Sequence, residues 1–120
     1  MQTKGALIGV GVDIVDIADI QKARFKARLA EYFLSPQEIR MVPKGSKTAQ
    51  HLASRFALKE AVIKAFPEKL SPFDFKIIKK GKRPSVSFFS SKRNKTYSIF
   101  VSLTHTARIT AAIAVISKTH

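Results

Sequence analysis

The sequence contains no cysteine and no tryptophan, and it has few acidic residues. Without cysteine, the chain has no disulfide framework, no thiolate zinc site, no iron–sulfur cluster and no cysteine nucleophile. Apolar stretches such as residues 111–116 fall far short of the about 18 residues of a membrane-spanning helix. Asp13 and Asp16 interrupt the apolar N-terminal stretch, so no secretion signal is predicted. The expected compartment is the cytosol, and any metal ion must be held by oxygen or imidazole ligands.

What the chain does contain is typical of one globular domain over residues 1–120. Hydrophobic residues make up 45% of the sequence and charged residues 25%. Lysine and arginine number 22 against 8 aspartates and glutamates, which gives a formal net charge of +14. Such an excess indicates a polyanionic partner: nucleic acid, anionic lipid, a phosphorylated small molecule or an acidic protein. A cation-rich, solvated surface without such a partner is the simpler alternative.

The first predicted strand, residues 7–14, has two different faces. Its even positions are all β-branched and line one face: Ile8, Val10, Val12 and Ile14. Its odd positions place Gly9, Gly11 and Asp13 on the other face. Two glycines beside a carboxylate leave room for a ligand to approach the backbone. Alternatively, the glycines allow a helix to pack closely and Asp13 caps the next helix.

A helix is predicted over residues 49–66, with Thr48 as a possible cap. At about 100° per residue, Ala49, Leu52, Ala53, Phe56 and Ile63 form one apolar stripe. Glu60 falls in the middle of that stripe. An acidic side chain that faces a buried stripe is costly unless it is paired or bound to a cation. Pairing with Lys64, one turn further on, is the structural alternative to cation binding.

The remaining pattern predicts two further helices and four further strands. Helical spacing extends from residue 16 to about residue 33, and Ser35-Pro36-Gln37-Glu38 is a strong helix start. Strands are predicted over residues 73–79, 85–89, 96–105 and 109–116, with turns at residues 80–84, 90–95 and 106–108. The predicted helices are grouped early in the chain and the antiparallel strands late. This order predicts an α+β fold in which helices pack on a single antiparallel-rich sheet.

Asp13 and Glu60 together suggest a site for a hard divalent cation. Mg²⁺ commonly binds through one or two carboxylates, several waters and the phosphates of a substrate. Arg55, Lys59 and Lys64 lie within about a helical turn of Glu60 and supply cations for phosphate. The spacing therefore favours Mg²⁺-dependent phosphate chemistry.

Three stretches carry a family resemblance. Residues 9–16, GVGVDIVD, resemble the G-x-G-x-D-I-V-E stretch of the holo-[acyl-carrier-protein] synthases, the 4′-phosphopantetheinyl transferases. Residues 55–66, RFALKEAVIKAF, resemble their R-F-A-x-K-E-A-x-x-K-A-F helix, and residues 101–106, VSLTHT, resemble their V-S-[IL]-[ST]-H strand end. Phe33-Leu34-Ser35 with Glu38 matches a fourth, weaker element. Order and spacing agree over nearly the whole chain.

The resemblance implies the transfer of 4′-phosphopantetheine from coenzyme A to a serine of an apo acyl carrier protein. It implies that Asp13 and Glu60 hold Mg²⁺, that Lys64 stabilises or protonates the leaving phosphate, and that Glu60 takes the serine proton directly or through a metal-bound water. The residues implied to contact coenzyme A are Arg55, Lys64, Gly81, Lys82, Arg83, Pro84, Thr104 and His105. The family also implies a homotrimer in which His105 meets Asp13 and Glu60 of a neighbouring chain. Without the resemblance, a half-buried His105 bonded to backbone is the simpler interpretation.

An acidic carrier protein would explain the net positive charge of the chain. Lys22, Arg24 and Arg28 are predicted to form the surface on which it docks. This sequence departs from the family at several points. Asp19 replaces a common carrier-binding arginine, Pro67-Glu68-Lys69 replaces a Gly-Thr-Gly, and the turn at residues 81–84 is one residue longer than G-[KR]-P. None of these changes removes a predicted metal ligand.

Two other functions were compatible with parts of the sequence. A nucleic-acid-binding module would use the +14 charge and the predicted strands over residues 73–79 and 85–89. Phe73 and Phe75 share a face, although Asp74 and the missing aromatic-glycine signature argue against this function. A non-catalytic trimeric scaffold would bury Glu60 against Lys64 with no metal affinity. The family resemblance favours the transferase, with neither nucleic acid nor membrane as a partner.

Overall fold

The computed structural model describes residues 6–22 and 26–119, and of residues 26 and 27 it describes the backbone alone. The described part contains five strands and five helices in mixed order. In chain order they are β1 (Ala6–Asp16), α1 (Ile17–Lys22), α2 (Lys26–Glu31), α3 (Pro36–Arg40), α4 (Thr48–Ala65), β2 (Phe75–Lys80), β3 (Arg83–Phe88), α5 (Ser91–Thr96), β4 (Tyr97–His105) and β5 (Ile109–Lys118). No helix among the described residues is long and apolar enough to span a membrane.

The strands form two antiparallel sheets, one of three strands in the order β1-β5-β4 and one made of the β2-β3 hairpin. The predicted α+β class with antiparallel strands is confirmed, but the single sheet is not. At the end of β3, the side chain of Asn94 accepts a hydrogen bond from the Phe88 N–H and donates one to the Phe88 carbonyl, at 2.9 and 2.8 Å. Because α5 satisfies these backbone groups, they are not available to β4.

Helix α4 lies at the centre of the fold and packs against β1 and β5. A row of alanines at every fourth position, Ala49, Ala53, Ala57, Ala61 and Ala65, is buried along it. A Cβ atom at Gly9 would overlap the carbonyl oxygen of Ala65, and one at Gly11 would overlap that of Ala61. The glycines of β1 therefore allow a close approach of strand and helix backbones, as the structural interpretation of the glycine face predicted.

Most predicted elements are confirmed, with local differences. The segment predicted as one helix over residues 16–33 contains two short helices, α1 and α2, in its described part. The capping box at Ser35 and Glu38 is present, whereas Thr48 does not cap α4: its hydroxyl donates to the Pro43 carbonyl at 2.6 Å. The turn predicted at residues 90–95 is helix α5, which begins after the cap Ser90.

The outer face of the three-stranded sheet is apolar and exposed. The β1 side chains opposite the glycine face point away from α4, and the strand register places β5 and β4 side chains beside them. The exposed apolar residues on this sheet face include Val10, Val12, Ile14, Phe100, Ile109 and Ile113. Phe100, for example, is 69% exposed to solvent. A contiguous apolar surface of this kind marks an interaction site more often than a solvated face.

Candidate active site

The centre of the candidate site is an ion pair between β1 and α4. The ammonium of Lys64 lies 2.9 Å from Oδ1 of Asp13 and donates to the Val12 carbonyl at 3.2 Å. The Asp13 side chain is only 14% exposed. Its second oxygen, Oδ2, is buried and has no hydrogen-bond partner among the described residues. A buried carboxylate oxygen without a donor is costly, which indicates that a cation or a donor from a ligand belongs there.

Glu60 is placed on the helical turn that faces Asp13. Gly9 meets α4 at Ala65 and Gly11 meets it at Ala61, so β1 and α4 run in opposite directions. Two residues forward along β1 therefore correspond to four residues back along α4. By the same spacing, Asp13 faces the helical turn 57–60, which ends at Glu60. The Glu60 side chain is half-buried and makes no hydrogen bond or ion pair with any residue that the structure describes.

The environment of Glu60 differs from the predicted buried stripe. Phe56, Glu60 and Ile63 are all half-buried rather than fully buried. The alternative pairing of Glu60 with Lys64 does not form, because Lys64 reaches across to Asp13 instead. The scaffold hypothesis required that pair, and its expectation is wrong on this point.

The residues present fit a magnesium ion. Asp13 supplies one carboxylate oxygen without a hydrogen bond, and Glu60 supplies a carboxylate without a protein partner in the described chain. The described residues contain no group of three or more acidic or histidine side chains that would enclose a metal. Two carboxylates match the preference of Mg²⁺, which keeps several waters and takes further oxygens from substrate phosphates.

A cleft of about 580 Å³ opens beside α4, between α3 and β2. Arg55 lines it, half-buried, and its guanidinium makes no hydrogen bond or ion pair with any described residue. Burial lowers the pKa of Arg55, and the Glu38 carboxylate opposes that shift. Lys76 and Lys79 line the same cleft. An unpaired guanidinium with lysines beside it favours an anionic ligand, above all a phosphate.

His51, in the same cleft, was not predicted as a site residue. Burial, together with the charges of Arg55 and Lys79, lowers the pKa of His51 to about 4. The imidazole is therefore neutral near pH 7, and the positive charge of the cleft comes from arginine and lysine. No pattern in the sequence marked His51, because its position beside the cleft depends on how β2 packs against α4.

Lys59 does not provide a phosphate-binding cation, so that prediction is wrong. Its side chain is 1% exposed, and its ammonium donates to Glu38 Oε1, the Pro72 carbonyl and the Phe75 carbonyl at 3.0, 2.6 and 2.7 Å. All three ammonium protons are used within the protein. The buried acidic residue of this region is Glu38, which the sequence indicated only as part of a helix cap.

His105 lies at the end of β4, exposed, and faces the beginning of α4. The amide nitrogen of Gln50 lies 3.0 Å from its Nε2. Gln50 and Glu60 are ten residues apart on one helix, which separates their levels by about 15 Å. Thr104 precedes His105 and is also exposed. Within one chain, the structure therefore does not bring His105 to Asp13 and Glu60.

The other predicted contact residues lie at the surface. Gly81 and Lys82 form the two-residue turn of the β2-β3 hairpin, and the positive φ of 65° at Gly81 is what such a turn requires. Arg83 and Pro84 lie within β3, where Pro84 pairs with Lys79. Lys22 and Arg28 are exposed, while Arg24 lies outside the described residues.

A nucleic-acid-binding face is not formed by the two phenylalanines that suggested it. Phe75 is completely buried under the β2-β3 hairpin, while Phe73 precedes the strand and is 47% exposed. Stacking on single-stranded bases needs aromatic rings exposed on one surface. The two phenylalanines therefore do not support this alternative, which keeps only the net charge of +14 in its favour.

Comparison with known proteins places this geometry in a family. A model of the 4′-phosphopantetheinyl transferase superfamily matches residues 9–114. The holo-[acyl-carrier-protein] synthase of Helicobacter pylori strain 26695 is 36% identical over 120 residues, covering 92% of this chain and 98% of that protein. The enzyme of the same name from Listeria innocua is 37% identical over 118 residues, covering 92% and 98%.

Solved structures agree with the sequence relatives. A crystal structure of Helicobacter pylori holo-[acyl-carrier-protein] synthase in complex with coenzyme A superposes with a TM-score of 0.74 at 36% identity, covering 90% of this chain and 99% of that one. A holo-[acyl-carrier-protein] synthase from Bacillus anthracis shares the fold with a TM-score of 0.80 at 23% identity, covering 94% and 98%. The chain therefore belongs to the 4′-phosphopantetheinyl transferase superfamily and, within it, to the holo-[acyl-carrier-protein] synthases.

Proposed function

We propose that this protein transfers 4′-phosphopantetheine from coenzyme A to a serine hydroxyl of an apo acyl carrier protein. The observation that carries the proposal is the buried, partnerless Oδ2 of Asp13, whose other oxygen binds Lys64 on the helix that also carries Glu60 and the cleft residue Arg55. The serine oxygen forms a bond to the phosphorus that bears the pantetheine arm. The bond from that phosphorus to the bridging oxygen breaks, and adenosine 3′,5′-bisphosphate leaves.

In this proposal Asp13 and Glu60 hold a magnesium ion. When bound, Mg²⁺ supplies charge neutralisation at the pyrophosphate oxygens. Lys64, held by Asp13 and the Val12 carbonyl, donates to the departing phosphate and balances its growing negative charge. Glu60, which has no protein partner in the described chain, takes the serine proton directly or through water.

The cationic cleft is the proposed binding site for coenzyme A. Arg55 lies five residues before Glu60 on α4, about 7.5 Å along the helix and about 140° around it, so coenzyme A would have to extend around the helix to reach both. Its free guanidinium suits a phosphate of coenzyme A. The turn at residues 81–84, Thr104 and His105 remain proposed contacts with the same ligand.

A homotrimer is the proposed assembly. The exposed apolar sheet face offers a surface that self-association would bury, and association would let His105 approach Asp13 and Glu60 of a neighbouring chain. Sedimentation equilibrium is expected to give about three times the 13.3 kDa chain mass. Ile113→Glu, which adds a charge to that face, is expected to yield monomers with little activity, whereas Lys118→Glu outside the face should remain trimeric. A wild-type monomer with full activity would contradict the proposal.

Docking of the acidic carrier is proposed on the basic side of residues 22–28, with Lys22, Arg24 and Arg28. Asp19, also exposed on α1, makes the start of this surface less basic. Electrostatic steering by the remaining cations would raise the rate of encounter, so added salt should slow the reaction. The cytoplasm, where coenzyme A and carrier would be available, is the proposed location.

The test is a mass measurement on the carrier. The protein is incubated with coenzyme A, a competent apo acyl carrier protein and Mg²⁺, and the carrier is weighed by mass spectrometry. We expect the added mass of phosphopantetheine, and we expect its loss when EDTA removes the metal and its return with excess Mg²⁺. A carrier whose mass does not change, although a known synthase modifies the same preparation, would falsify the proposal.

A further inference from the structure

A buried ionic network joins α3, α4, β2 and the segment before β2. Glu38 accepts hydrogen bonds from the Ser35 N–H and the Lys59 ammonium through Oε1, at 3.1 and 3.0 Å, and from the Ile77 N–H through Oε2 at 3.1 Å. Lys59 donates in addition to the carbonyls of Pro72 and Phe75. Two side chains thus connect four parts of the chain that are separate in sequence.

The network is almost completely removed from solvent. Lys59 is 1% exposed and Glu38 is 8% exposed. Burying both charges carries a large desolvation penalty, and a well-packed apolar pair of similar volume is often as stable or more so. Stability alone is therefore a weak reason for an ion pair here. Its geometry offers another reason, because each hydrogen bond fixes a direction as well as a distance.

The network forms part of the wall of the cationic cleft. Glu38 and Ile77 both line the cleft, from α3 on one side and β2 on the other, and the Glu38 carboxylate binds the Ile77 backbone directly. Arg55 lies one helical turn before Lys59 on α4 and enters the same cleft. The distance between the two walls, and the space around the guanidinium, are thus set by one carboxylate.

We propose that Glu38 and Lys59 are positioning residues that hold α3 and β2 at the separation in which Arg55 meets a phosphate of coenzyme A. Neither residue touches the ligand in this proposal; both act through the walls of the cleft and through Arg55. The inference rests on the proposed function, since it takes coenzyme A as the ligand. It predicts a defect in coenzyme A binding that is separable from a loss of stability.

The decisive variant is the double substitution Glu38→Gln with Lys59→Met. It removes both buried charges, so no unpaired charge remains, and a glutamine oxygen can still accept from the Ser35 N–H, although the Pro72 and Phe75 carbonyls lose the Lys59 donor. We expect the double variant to remain folded and its melting temperature to fall less than that of either single variant, since it leaves no buried charge unpaired. We expect its Kd for coenzyme A, measured by calorimetry with Mg²⁺, to rise about tenfold or more, with kcat at saturating coenzyme A changed less than about threefold.

A double-mutant cycle with Arg55 distinguishes a positioning role of Glu38 and Lys59 from a general effect on packing. Arg55→Gln in the wild-type background is expected to weaken coenzyme A binding strongly. In the double-variant background the same substitution should cost much less, because the guanidinium is already misplaced. Glu31→Gln, an exposed position on α2, serves as the matched control and should leave the Kd unchanged.

Two results would overturn the inference: a folded double variant with the wild-type Kd for coenzyme A, or fully additive effects of Arg55→Gln in the two backgrounds. The single variants Glu38→Gln and Lys59→Met each leave a buried group unpaired and serve only to show the destabilisation that the double variant relieves.

Failure of the proposed function would give a different result from failure of this inference. A wild type that binds coenzyme A but never modifies a competent carrier would overturn the transferase activity, while the binding data would still test the positioning.

Discussion

Replacing Glu60 with glutamine is expected to reduce phosphopantetheine transfer by about 10³-fold or more, since the proposed metal ligand and proton acceptor are lost together. The side chain is half-buried and makes no hydrogen bond or ion pair with any described residue, so the fold has little reason to change. Single-turnover transfer to the carrier measures the effect. Circular dichroism and the melting temperature should match those of the wild type.

The matched control is Glu68→Gln, which removes the same charge from an exposed position three residues after α4. It should keep full activity and the wild-type Mg²⁺ dependence. The concentration of Mg²⁺ needed for half-maximal rate provides a second readout for Glu60→Gln and should rise substantially. A glutamine variant with normal rate and normal Mg²⁺ dependence would show that Glu60 has neither role.

A large loss of stability is expected for Gly11→Ala. A methyl group at Gly11 would overlap the carbonyl oxygen of Ala61, and the nitrogen of Ala65 would lie at 2.8 Å. Both atoms belong to the backbone of α4, so no side chain can rotate away, and the strand and helix must separate. We expect the free energy of unfolding to fall by about 3 kcal/mol or more, a large share of the total for a domain of this size. Urea denaturation measures it.

Gly45→Ala distinguishes this steric effect from the general cost of replacing glycine. Gly45 has a φ of 96°, but a Cβ atom there meets nothing within 4 Å. Only backbone strain of about 1–2 kcal/mol is expected. If Gly11→Ala cost no more than Gly45→Ala, the close packing of β1 on α4 would not be what requires a glycine at residue 11.

Local patterns were sufficient for much of the secondary structure. The alternation of β-branched residues predicted β1, and Ser35 with Glu38 marked the start of α3, because these signals depend on neighbours a few residues away. The family motifs also located Asp13, Glu60 and Lys64. The predicted number of sheets was wrong, because strand pairing depends on tertiary packing: β3 pairs with β2 alone, and at its end Asn94 rather than β4 bonds to Phe88.

The roles of charged residues were harder to predict from the sequence. On a helical wheel Glu60 appeared to be the buried charge of α4, yet it is half-buried, and Lys59 beside it is the charge in the core. Whether a lysine faces water or a carboxylate depends on what packs against its helix. Here Glu38, 21 residues away, and two backbone carbonyls of the following segment decide it.

The sequence by itself determined the α+β class, the absence of thiol chemistry, the two carboxylates suited to a hard cation and the family. These follow from residue types and short spacings, which are properties of the chain as written. Only the tertiary structure decided that Lys64 pairs with Asp13, that Asp13 keeps one oxygen without a partner, and that Glu38 and Lys59 join the walls of the cleft. The reason is that these contacts connect residues 21 to 51 positions apart, and only packing in three dimensions brings such residues together.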